Sequence, residues 1–127
     1  ETRPDIDSKR LAYMGVSMGA ALGVIFTGVE ERLKAAIFLD GGFYYEKQLP
    51  GANQADFAPR IKVPTLLISG KFDWIFLGKD ALLRLVGTPS ANKKAVTFDT
   101  AHDVSEQRPA LIREVVGWLD QHLGKIR

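Results

Sequence analysis

With 127 residues, 46% hydrophobic and 25% charged, the chain has the make-up of one globular domain spanning 1–127, long enough for a core but short for a complete α/β enzyme. Its 17 basic and 15 acidic side chains leave a net charge of +2 with no basic stripe, which argues against a nucleic-acid partner, and the lack of cysteine excludes disulfide scaffolds, thiolate metal sites and cysteine nucleophiles. Two histidines are too few for a His-rich metal centre, so neither a metal nor a cofactor is expected. No leader is visible at Glu1, and the cytoplasm is the favoured compartment.

Residues 1–9, polar and holding Pro4, read as a loop leading into a first strand at Arg10 to Gly15. That strand runs into Gly15-Val16-Ser17-Met18-Gly19 and then into an apolar helix over residues 18–29. Ser17 thus stands on a sharp strand-to-helix turn, with Gly15 and Gly19 giving it room. Such a turn raises the serine Oγ above a sheet and aims the next amide, Met18 N–H, into the same space from a helix N-terminus, where it can serve an oxyanion. Residues 11–29 carry no charge and space Gly15, Gly19 and Gly23 four apart, as some membrane helices do. The run barely reaches the minimum span of about 18 residues and is rich in Gly and Ala, so a soluble strand and helix is favoured and no membrane partner is expected. Gly19 and Gly23 would give the helix a flat face against the sheet.

Lys34 to Asp40 is a continuously apolar second strand, as befits a strand covered on both faces. Residues 41–62, with Phe43, Tyr44, Tyr45, Pro50, Phe57 and Pro59, read as a surface connection with about one helical turn, serving either as a rudimentary lid or as an aromatic seal on the sheet. Val63 to Gly70 forms the third strand, with Pro64 at its start, and Lys71-Phe72-Asp73 follows as a turn. A helix over 78–86 ends at Gly87 and Pro89. The fourth strand, Lys94 to Phe98, leads to the polar loop carrying His102. The last helix starts at Pro109, carries Leu111, Ile112, Val115, Val116, Leu119 and Leu123 on one stripe, and stops at Gly124, with Lys125 and Arg127 beside its negative end. This alternation predicts an α/β fold of about four parallel strands with helices on both faces.

Loops at the carboxyl ends of parallel strands face a common crevice, and three of them deliver Ser17, Asp73 and His102. A serine needs a base to take its proton, and the imidazole needs a carboxylate to fix its tautomer, so all three roles are filled. Asp40, also at a strand end, is the substitute acid. His122, in the last turn of the final helix, reads as a surface residue favouring the helix dipole. The chain order Ser, Asp, His is that of α/β-hydrolases. Gly-Val-Ser-Met-Gly, then Val-Pro-Thr-Leu-Leu-Ile-Ser-Gly-Lys-Phe-Asp, then a strand leading to Ala-His, resembles the C-terminal half of an α/β-hydrolase. Within that superfamily the sequence is most similar to the dienelactone-hydrolase and prolyl-oligopeptidase-like esterases. The resemblance implies a truncated α/β-hydrolase fold with Ser17 as nucleophile, Asp73 as acid and His102 as base.

A full α/β-hydrolase has about four strands before the nucleophile, and a loop among them supplies the second oxyanion donor; these residues contain neither. The expected activity is hydrolysis of small short-chain esters, with Phe72, Trp74, Ile75, Phe76 and Leu77 forming an apolar wall for the substrate. The alternative is a catalytically weak fragment used for assembly or binding. The Arg10 to Gly15 strand would form an exposed apolar edge, which predicts a homodimer or higher even oligomer paired through it.

Overall fold

The structure, a computed structural model, describes residues 3–43, 48–76 and 79–125. Four strands, β1 (Leu11–Val16), β2 (Leu33–Leu39), β3 (Thr65–Gly70) and β4 (Lys93–Phe98), pair in parallel in the order of the chain. Between them run α1 (Met18–Thr27), the single turn α2 (Gln54–Phe57) and α3 (Lys79–Leu85); α4 (Arg108–Leu123) closes the chain. Parallel neighbours require a crossover each time, and every connection here makes one. The strand and helix assignments match the sequence expectation to within one or two residues, and the 41–62 connection contributes α2. Tyr44, Tyr45, Leu77, Gly78 and Arg127 lie outside the described residues.

The alternation along β2 divides the core into two layers. Ala36 and Phe38 pack with Ala20 and Val24 of α1, Ala58 and Ile61 after α2, and Leu82 of α3. Ala35, Ile37 and Leu39 point the other way, into a layer closed by Phe98, Val104 and Trp118. Helices therefore cover both faces, which is why β3 is buried at every position and β2 at every position but Lys34. Among the described residues no helix is long and apolar enough to cross a membrane, because the uncharged run over 11–29 is split between β1 and α1.

Two details depart from the sequence expectation. The face of α4 that meets the sheet is centred on Trp118, with Leu111, Val115 and Leu119 beside it, while Ile112 and Val116 are about half exposed. Tryptophan is the largest apolar side chain on the helix and its burial contributes more than that of either branched aliphatic alone, so the helix turns it inward. His122 is half-buried with its ring 4.3 Å from that of Trp118, edge to face, and burial holds its pKa below the ordinary value. The carbonyl end of α4 is instead met by Arg10, whose guanidinium donates to Leu123 O and Gly124 O.

The glycines around Ser17 are not equivalent. A Cβ on Gly15 would lie 2.6 Å from the Gly19 backbone, and one on Gly23 would lie 2.2 Å from the Tyr13 ring, whereas one on Gly19 would meet nothing within 4 Å. The close approach of strand and helix thus depends on Gly15, while Gly23 makes room for Tyr13 and Gly19 packs no flat face. Gly15→Ala is expected to destabilise by about 1–3 kcal/mol through overpacking, and Gly19→Ala to be neutral or to stabilise by up to about 1 kcal/mol. Urea unfolding of the two variants checks this ordering.

Candidate active site

Ser17 occupies the end of β1 with φ 52° and ψ −115°, a backbone conformation that residues other than glycine rarely adopt. Its amide donates to Leu39 O at 2.8 Å, so the elbow is tied to the end of β2. Its carbonyl accepts from Ala21 N at 3.0 Å, the first bond of α1, and the N–H groups of Met18, Gly19 and Ala20 precede the helical ladder. Met18 N–H is therefore a first-turn donor beside Ser17, on a residue that is 63% exposed.

His102, in the loop after β4, brings Nε2 to 2.8 Å from Ser17 Oγ, although the two residues are 85 apart in the chain. Its other ring nitrogen, Nδ1, is 3.1 Å from Asp73 Oδ2. The distance suits a hydrogen bond, but the approach is oblique and the alignment of a well-formed bond is missing. Asp73 is buried and held by its other oxygen, which accepts from Ile75 N at 2.9 Å and, more weakly, from Phe76 N at 3.5 Å. This local turn fixes the carboxylate toward the imidazole.

The aromatic residues beside Asp73 separate into two groups. Phe76 is 3% exposed and its ring centroid lies 5.8 Å from that of His102, so it packs against the imidazole and offers little surface to a substrate. Phe72 and Trp74 are exposed, with the Lys71 ammonium 5.1 Å from the Phe72 ring. Leu77 lies outside the described residues. A groove of about 790 Å³ lined by Thr27, Glu30, Pro59, Arg60 and Lys62 sits where α1 ends and β3 is about to start, the opposite end of the sheet from Ser17. Among the described residues no three His, Asp or Glu side chains are grouped to hold a metal ion.

Asp40, considered only as a substitute acid in the sequence, has a place of its own. It sits at the end of β2 with φ 49°, is 2% exposed, and its Oδ2 accepts from Val104 N at 3.1 Å. Burial pushes its pKa up to about 6, against the lowering effects of the Val104 bond, His102 and Gly70 N–H and with a raising effect from Asp73. An Asp-Gly-Gly at the end of an apolar strand was the available signal, since an acid there is either solvated or given a partner by the fold.

No family model and no curated protein matches the sequence. Solved structures do match in shape. An esterase from an Arctic intertidal metagenomic library, described as cold-adapted, is 23% identical with a TM-score of 0.72, covering 90% of this chain and 49% of its own. A candidate dienelactone hydrolase of Klebsiella pneumoniae is 21% identical with a TM-score of 0.72, covering 91% of this chain and 53% of its own. The acylaminoacyl peptidase of Pyrococcus horikoshii is 17% identical with a TM-score of 0.79, covering 98% of this chain and 26% of its own. The chain therefore has the α/β-hydrolase fold, in part: four parallel strands with helices on both faces, spanning about half or less of these solved chains.

The raised pKa of Asp40 has a measurable sign. Its folded value of about 6 exceeds the ordinary carboxylate value of 3.8, so between those limits the folded state holds a proton that the unfolded chain has released. This group's contribution to stability is complete below about pH 4 and is lost as pH rises through about 6, by at most about 3 kcal/mol. Urea unfolding at pH 4 and pH 7 should show a loss in the wild type that is smaller in Asp40→Asn; equal changes in both proteins would contradict it.

Proposed function

We propose that the chain carries the catalytic residues of a serine hydrolase of carboxylesterase type, acting on small short-chain esters through an acyl-enzyme. The observation supporting this most directly is the 2.8 Å contact between Ser17 Oγ and His102 Nε2 above an elbow with open first-turn amides. Ser17 Oγ attacks the ester carbonyl while its proton passes to His102 Nε2, and the Asp73 carboxylate faces the charge that the ring acquires. Met18 N–H donates to the oxyanion. Collapse of the tetrahedral intermediate breaks the ester C–O bond, and the departing alcohol takes the proton from Nε2. Water, deprotonated by His102, then attacks the acyl-enzyme, releasing the carboxylate and restoring Ser17. Phe72 and Trp74 provide exposed apolar surface near the acid for a short acyl or alkyl group, and the α/β-hydrolase-fold neighbours named as hydrolase and esterase support the same reaction class. Hydrolysis of an activated butyrate ester tests this. Ser17→Ala is expected to lose about 10³-fold or more in turnover, with loss of labelling by a fluorophosphonate; a variant retaining the wild-type rate would overturn the assignment.

A second reading, assembly through β1, is favoured by the bare edge of the sheet. Among the described residues β1 pairs with β2 alone, and Met14 and Val16 on it are 55% and 54% exposed. A groove of about 490 Å³ lined by apolar Ile6, Leu11, Val116, Leu119 and Leu123 together with charged Asp5, Asp7, Arg10 and Asp120 runs beside it. An unpaired apolar edge recruits another strand. The proposed occupant is a second copy: two β1 strands related by a two-fold axis run antiparallel and are self-complementary, which would merge two four-stranded sheets into one. Sedimentation at micromolar concentration is expected to give a dimer or a higher even oligomer, and a folded 14.0 kDa monomer would refute it.

A further inference from the structure

Asp40 lies where the three loops that bear Ser17, Asp73 and His102 meet. The carbonyl just before it, Leu39 O, accepts the Ser17 amide at 2.8 Å. Its own amide donates to Ile68 O at 2.9 Å, in the strand that leads to Asp73. Its side chain reaches the third loop through Val104 N–H, two residues beyond His102. On its near side the His102 loop is already held, since Lys71 N donates to Phe98 O at 2.8 Å and Phe72 N donates to Thr100 O at 3.0 Å. Close packing reinforces that hold: a Cβ on Gly70 would fall 1.6 Å from Ala101 O. On the far side, Val104 is anchored by its buried side chain and by the hydrogen bond its N–H donates to Asp40 Oδ2.

We propose that Asp40 is a positioning residue for the esterase chemistry, its carboxylate clamping Val104 N–H so that the loop carrying His102 is suspended at both ends with Nε2 over Ser17. Such a group has to be rigid and dry. Asp40 is 2% exposed, and its left-handed backbone conformation is one that aspartate tolerates better than most residues. A charge-assisted bond to a backbone amide is stronger than a neutral one, so the clamp is tightest when Asp40 is ionised. The ionisable groups acting on it are His102 and Asp73, from the loops after β4 and β3; Gly70 N–H of β3 and Val104 N–H of the 3-10 turn contribute dipoles. Burial favours the protonated form, so the clamp weakens as pH falls through about 6.

This role rests on the esterase reading, yet part of it is visible without turnover. In Asp40→Ala, hydrogen exchange at the Val104 amide should accelerate about tenfold or more while core amides of β2 and β3 keep their protection. Turnover of the butyrate ester should fall about tenfold or more, with KM changed less than about twofold, because a displaced base weakens the chemical step more than binding. Asp40→Asn, which keeps an oxygen acceptor, should restore Val104 protection and most of the turnover at pH 8, with a flatter acid limb in the pH–rate profile. Where Asp40→Ala does not fold, the wild-type Val104 amide resonance followed from about pH 4 to about pH 8 decides: a titration with midpoint near 6 supports the clamp and a flat response overturns it. Unchanged exchange and unchanged turnover in a folded Asp40→Ala protein overturn it equally. A wild-type protein without turnover, but with Val104 protection dependent on Asp40, would sink the esterase reading and leave the clamp standing.

Discussion

The hydrogen bond from Ser17 N–H to Leu39 O is where the regular sheet ends and the crevice begins. Strand pairing cannot continue past it, because Ser17 has left the extended region and the next residues wind into α1. In a parallel sheet every strand ends on the same side, so β2 at Leu39, β3 at Gly70 and β4 at Phe98 end beside β1 at Val16. The serine, the two carboxylates and the imidazole are separated by up to 85 residues of sequence, and their meeting follows from strand ends aligned by register.

This arrangement concentrates unfavourable local conformations at one end of the molecule. Among the described residues the two non-glycine residues with positive φ, Ser17 and Asp40, sit there, and Asp73 and Thr100 are among the buried polar groups that join them. The layers beneath are almost wholly apolar, from Phe38 and Leu67 on one face to Ile37 and Ile68 on the other. Strain at the crevice is sustained because those layers leave the strand ends no alternative position. At the β1 side the same logic is incomplete, since among the described residues Met14 and Val16 have a strand partner on the β2 side alone.

Much of this was legible in the chain. Gly15 to Gly19 between an apolar strand and an apolar helix locates the elbow, and the continuous apolar runs of β2 and β3 declare strands covered on both sides. The histidine loop is legible from its place after β4. What escaped the one-dimensional pattern depends on partners remote in sequence. Trp118 reaches the core because the α4 face is set by the shape of the sheet below it, and a periodic stripe cannot say which edge of the stripe wins. Arg10 finds the end of α4, and Asp40 finds Val104, 64 residues away. Phe76 reads as one of a row of aromatics, and only the turn around Asp73 shows that its ring faces inward.

The strand order has a consequence for how the molecule is made. Because β1, β2, β3 and β4 are neighbours in space in the order in which they occur in the chain, each strand leaving a ribosome finds its partner already present, and no later strand has to be inserted between two earlier ones. The sheet can grow by accretion along one advancing edge, with the closing of each crossover the only long-range step. The loop bearing His102, carried beyond β4, is then the last of the three loops to arrive, so the 2.8 Å contact between Ser17 and His102 forms only after all four strands have been made.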